Sequence, residues 1–236
     1  MSKTVDPDGF EDRDEWALKM QAKYAVPIYR EYWAVSNEQI TEIDKCGKTE
    51  DAARVLDTMG GTDKAITPST GMRHVAQRFR TRTQADDGYV YSTDFSIRTS
   101  SYTGADTEYD KLLNTYRNDG NVPAIYSFGV ADGFDKEEAL GSGFRDFYFL
   151  DLERFLKLVD NNQLEPVSCY PNGDGSEGLY FSVDSLRDNG IIRDEIHGDV
   201  LSSAWRNVQT SNEFPTAPGV KTTGQVDLLS FGDSDE

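Results

Sequence analysis

The sequence of 236 residues predicts an α/β domain in which a mixed central β-sheet lies between helices. The first observation behind this prediction is the apolar pattern, which alternates between helical and extended periods between residues 11 and 160. The second is that aromatic residues make up 11% of the chain, which is too many ring side chains for wholesale disorder. We therefore expect one folded domain over residues 9–207, after a disordered start at 1–8.

The first predicted helix extends from Glu11 to about Trp33, because apolar residues recur there every four positions. Pro27 is expected to split or kink this helix, since proline has no backbone N–H to donate. A second helix is predicted at 48–56, where acidic residues follow Thr49 in the first turn.

After this helix the spacing of the apolar residues changes from a helical to an extended period, which predicts strands. Asp63 to Ile66 is a short strand, and the turn from Pro68 to Gly71 joins it to a second strand from His74 to Arg82. The other predicted elements are, in chain order, a turn at 86–88, a strand at 89–99, a helix at 107–117, strands at 122–130 and 147–150, a helix at 151–159 capped by Asp151, a strand at 179–183, and a mixed stretch at 183–201 that ends in a helix.

The charge balance is strongly acidic, with 42 Asp plus Glu against 24 Lys plus Arg and a net charge of −18. This balance, with few lysines, is typical of salt-adapted proteins and indicates a haloarchaeal or haloviral origin. At molar salt the Debye length is about 3 Å, so local charge becomes the better guide to partners. The chain lacks an apolar run of about 18 residues, and its first residues are acidic, so we expect a cytoplasmic protein without a membrane partner.

Short motifs exclude several enzyme classes. The chain has no GxxxxGK[ST] phosphate loop, no GxSxG elbow and no GxGxxG dinucleotide motif. Its two histidines and two widely spaced cysteines indicate neither a histidine-rich metal site nor a disulfide framework.

A basic island stands out in the acidic chain. Its members are Arg73, Arg78, Arg80, Arg82 and Arg98. Alternation places Arg78, Arg80 and Arg82 on one face of a strand, where they are able to line a DNA phosphate backbone. The alternative is a strand whose outer face carries solvated charge.

The hairpin that contains this island resembles the PD-(D/E)XK nuclease superfamily, in the order of elements over residues 10–160 and in Asp63 followed by Gln77 on the next strand. The resemblance implies that Asp63 and Gln77 hold Mg²⁺ or Mn²⁺, that Arg78 or Arg80 replaces the family's lysine, and that Glu31 completes the site. Phe79 stands where the family has that lysine. An arginine near the metal would stabilise charge without accepting a proton.

The C-terminal segment carries a second motif. Gln225, Leu228 and Phe231 fit the pattern Q-x-x-(L/I/M)-x-x-(F/Y), which resembles the peptide by which replication and repair proteins bind the sliding clamp. The motif at 225–231 lies in a stretch at 208–236 whose composition predicts a flexible acidic tail. An acidic end with a few apolar residues is the alternative.

Together these observations predict a metal-dependent DNA nuclease of replication, repair or recombination that a sliding clamp recruits, with a homodimer as a possible state. Two other functions stay open. One is a catalytically inactive DNA-binding or scaffold protein of the same fold, and the other is a structural virion or assembly protein.

Overall fold

The computed structural model describes residues 15–42, 63–84, 90–91, 94–100, 107–118, 120, 122–171 and 177–197. Their elements are, in chain order, α1 (15–33), β1 (Ile40–Glu42), β2 (Lys64–Ile66), β3 (Arg73–Arg80), β4 (Thr83–Gln84), β5 (Val90–Tyr91), β6 (Asp94–Ser100), α2 (Glu108–Arg117), β7 (Ile125–Ala131), α3 (Lys136–Ser142), β8 (Phe144–Asp151), α4 (Leu152–Asp160), β9 (Ser168–Pro171), β10 (Glu177–Ser182), α5 (Val183–Asp188) and β11 (Ile192–His197).

A mixed six-stranded sheet forms the centre, in the order β1-β2-β3-β7-β8-β11. Strands β3 and β7 are parallel, and the other neighbours in this sheet are antiparallel. A smaller antiparallel sheet has the order β6-β10-β9, and β4 pairs with β5. The predicted class, an α/β fold with a mixed sheet between helices, is confirmed.

Helix α1 covers one face of the large sheet, which we call the α1 face. The four-residue apolar period of the sequence is the stripe that packs there, and Met20, Tyr24 and Ile28 are all buried. From the sheet side, Phe147 and Phe149 of β8 join the same cluster. Alternation along each strand therefore decides which side chains meet the helix.

Pro27 does not break α1. A π-helical turn at Gln21–Ala25 precedes it, and the backbone N–H of Val26 donates to the carbonyl oxygen of Gln21, five residues earlier. Proline cannot donate to the carbonyl four residues before it, and its ring crowds that carbonyl in a regular α-helix. The wider π turn gives the proline room, and the chain stays helical to Trp33.

The opposite face of the sheet, called here the second face, is covered by the small sheet and by α2, α4 and α5. Phe95 of β6 lies edge-on to three rings, with centroid separations of 5.2 Å to Tyr126, 5.3 Å to Phe128 and 5.3 Å to Phe155. Edge-to-face packing of this kind adds to area burial. Phe95 therefore holds the small sheet and α4 against the large sheet.

Two predicted helix starts are confirmed by their caps. The Thr107 side chain accepts a hydrogen bond from the backbone N–H of Asp110 in α2, and Asp151 accepts one from Arg154 in α4. Helix α3 was not predicted, although Asp135 caps it by accepting from the N–H groups of Glu137 and Glu138. The predicted hairpin of β2 and β3 is also confirmed, with Gly71 at φ +111° in its turn.

The order of elements differs from the prediction in two places. The strand predicted at 89–99 follows the predicted hairpin in the sequence, but most of it forms β6 in the small sheet, and β1, which was not predicted, pairs with β2 instead. The mixed stretch predicted at 183–201 begins with helix α5 and continues as β11 to His197, and residues 198–201 lie outside the described residues.

Several predicted elements lie outside the described residues, namely the helix at 48–56, the turn at 86–88, the start at 1–8 and the tail at 208–236. Among the described helices, none is long and apolar enough to cross a membrane.

Candidate functional site

The hairpin of β2 and β3 brings two of the predicted site residues together. The Oδ2 atom of Asp63 accepts a hydrogen bond of 2.7 Å from the backbone N–H of Gln77. The backbone N–H of Asp63 donates in turn to the carbonyl oxygen of Val75, at 3.0 Å. These contacts fix the Asp63 carboxylate beside β3, although Asp63 itself is exposed.

The side chain of Gln77 is engaged on the α1 face. Its Nε2 donates to Oε1 of Gln21, and its Oε1 accepts from the hydroxyl of Tyr29 at 3.2 Å. That hydroxyl also lies 2.5 Å from Oγ of Ser127, and this Oγ lies 3.2 Å from the carbonyl oxygen of Ala76. We call Gln21, Tyr29, Gln77 and Ser127 the Gln77 network. It joins α1 to the two parallel strands by polar contacts.

The Gln77 network is neutral. Burial raises the pKa of Tyr29, so its hydroxyl remains protonated at neutral pH. Gln21 and Ser127 are both buried, and Tyr29 is fully so. Buried polar groups are tolerated when they are paired, and the contacts within the network pair both hydroxyls and both ends of the Gln77 amide.

Arg78 lies on the second face, because neighbouring residues of a strand point to opposite sides. Its Nη1 donates to Oε2 of Glu108 in the first turn of α2, at 3.1 Å, and each of the two side chains is 26% exposed. The hydroxyl of Tyr126 donates to the other oxygen of Glu108, at 2.5 Å. Desolvation opposes the Arg78 charge, but Glu108, Tyr126 and Tyr180 together outweigh it and raise the pKa of the guanidinium. The structure therefore separates Arg78 from Gln77.

Glu31 does not join this site. It follows Tyr29 by two positions on α1, which is a rotation of roughly 200° around the helix. Tyr29 is buried against the sheet and Glu31 is exposed to solvent. The carboxylate of Glu31 therefore points away from the Gln77 network.

The other arginines of the basic island are half-buried. The Arg80 guanidinium lies 5.6 Å from the ring centre of Phe128, and desolvation lowers its pKa despite the attraction of Asp94. Arg82 follows the end of β3, where its Nη1 lies 3.5 Å from Oδ1 of Asp132. Arg73 begins β3 and Arg98 lies in β6 of the small sheet. The island thus includes residues of both sheets.

In the part of the chain that the structure describes, no three His, Cys, Asp or Glu side chains are placed to hold a metal ion together. Of the predicted metal ligands, Asp63 offers a carboxylate beside β3, and Gln77 offers an amide oxygen that already accepts from Tyr29.

Sequence reasoning missed Gln21, Tyr29 and Ser127. A signal was present for two of them. Gln21 is a polar residue beside the apolar stripe of α1, and Ser127 is a polar residue inside the apolar run of β7. Each is a buried polar position that requires a partner, which Gln77 supplies for Gln21 and Tyr29 supplies for Ser127.

Comparisons of the chain with protein family models, with curated proteins and with solved structures gave no match.

Proposed function

We propose that the protein is a non-catalytic member of the nuclease-like class that acts as a scaffold subunit at a DNA sliding clamp. The observation that carries the non-catalytic part is the Gln77 amide, which is hydrogen-bonded at one end to Gln21 and at the other to Tyr29. The order of a helix, antiparallel strands, a second helix and a strand parallel to β3 is consistent with the resemblance that the sequence indicates.

The chemistry of phosphodiester hydrolysis explains why this network matters. A hard cation such as Mg²⁺ prefers carboxylate oxygens and must polarise the phosphate and activate water. The Gln77 network contributes no charge, and Arg78 is held by Glu108 on the other face of the sheet. The Gln77 network is therefore suited to holding α1 on the sheet, and the pair of Arg78 and Glu108 is suited to holding α2 there.

The recruitment part of the proposal depends on Gln225, Leu228 and Phe231, which lie outside the described residues. Their spacing of three positions suits a single helical turn that presents Leu228 and Phe231 to an apolar pocket while Gln225 enters a polar one. A peptide of this kind on a linker raises the local concentration of the attached domain at the clamp.

The proposal is tested with the full chain and the sliding clamp of the same organism. We expect calorimetry at molar salt to show binding that the Leu228→Ala, Phe231→Ala double variant loses. Ser230→Ala, at a position between the two apolar anchors, serves as the control and should bind like the wild type. Equal binding by the double variant would remove the clamp from the proposal.

The second candidate is the metal-dependent nuclease, and one observation favours it. The carboxylate of Asp63 lies against the backbone of Gln77, so the two predicted metal ligands are neighbours. Under this candidate, DNA is cleaved at high salt with Mg²⁺ or Mn²⁺, Asp63→Ala abolishes the cleavage, and Asp188→Ala on the exposed side of α5 does not. Cleavage with that pattern would overturn the non-catalytic proposal.

A further inference from the structure

We draw no further inference here: the strongest candidate, the surface patch after β7 where the 44% exposed ring of Phe134 lies 4.6 Å from the Arg82 guanidinium beside the exposed acidic residues that begin α3, carries nothing because no observation among the described residues shows what covers it.

Discussion

Arg78 and Glu108 form an ion pair that ties the second face of the sheet to the first turn of α2. The Arg78 guanidinium takes one oxygen of Glu108 at 3.1 Å, and the Tyr126 hydroxyl takes the other at 2.5 Å. Both charged side chains are 26% exposed, so each is partly removed from water. Loss of either partner would leave the other partly desolvated and without its opposite charge, which is more costly than the pair itself is favourable.

We therefore expect Arg78→Ala and Glu108→Ala each to lower the free energy of unfolding by about 1–3 kcal/mol, below the range for fully buried pairs because of the residual exposure. Urea unfolding at high salt measures this loss. Arg117→Ala is the matched control, because its pair with Asp160 is more exposed and should contribute about 0–1 kcal/mol. A loss for Arg78→Ala no greater than for Arg117→Ala would show that the pair is not a structural link.

A negative charge added at Gln77 is expected to make the stability of the protein depend on pH. Gln77→Glu places a carboxylate beside Gln21 and Tyr29, where burial disfavours ionisation and raises its pKa in the folded state. The variant should be less stable than the wild type by about 1–3 kcal/mol at neutral pH. The difference should shrink as the pH falls through the raised pKa of the folded state and disappear near about pH 4, where the unfolded carboxyl is also protonated.

Thermal unfolding of Gln77→Glu and wild type across pH 4–8 checks this, and Gln77→Met separates the effect of charge from the loss of hydrogen bonds. A difference that does not depend on pH would contradict the buried position of the side chain. If Mg²⁺ restores the stability of Gln77→Glu at neutral pH, Asp63 and position 77 can share an ion, which favours the nuclease candidate.

The parts of the fold that sequence reasoning predicted are those with a local cause. Helices α2 and α4 begin at Thr107 and Asp151 because their side chains satisfy N–H groups of the first turn, and that information lies within four residues. The hairpin of β2 and β3 is likewise encoded by its own turn, with Gly71 in the left-handed region.

The candidate site was only partly predictable, because the hydrogen-bond partners of its residues lie far away in the sequence. Gln77 is hydrogen-bonded to Gln21, which is 56 residues away in the sequence, and Arg78 is hydrogen-bonded to Glu108, which is 30 residues away. Strand alternation alone already places Gln77 and Arg78 on opposite faces, so the sequence contained the reason why their side chains point away from each other. What it did not contain is which helix covers each face.

Alkaline stability is expected to depend on buried tyrosines. Burial raises the pKa of Tyr29, and burial together with Asp194 raises that of Tyr32 to about 12. An unfolded tyrosine ionises near about pH 10. Because the folded state keeps these protons longer, the stabilisation is complete below about pH 10 and is lost as the pH rises toward 12.

Tyrosinate absorbance and circular dichroism should therefore change together above pH 10. In Tyr32→Phe the alkaline loss of stability should be smaller, because one of the titrating groups is gone. Ionisation of these tyrosines near pH 10 without unfolding would contradict their burial.

The last prediction concerns the basic island and DNA. Each arginine that contacts a phosphate adds about one unit to the slope of log K against log salt. Arg82 lies 3.5 Å from Asp132 and its guanidinium lies 4.6 Å from the ring of Phe134, and Arg80 lies over the Phe128 ring. Because these contacts engage both guanidinium groups within the chain, we expect Arg80→Ala and Arg82→Ala to leave the salt slope of any DNA binding unchanged, which agrees with a scaffold role. The series starts at the lowest salt at which circular dichroism still shows the fold, with Arg117→Ala as an exposed control. A slope reduced by about one unit in both island variants and not in the control would assign them to phosphate contacts and make DNA a direct partner of the folded domain.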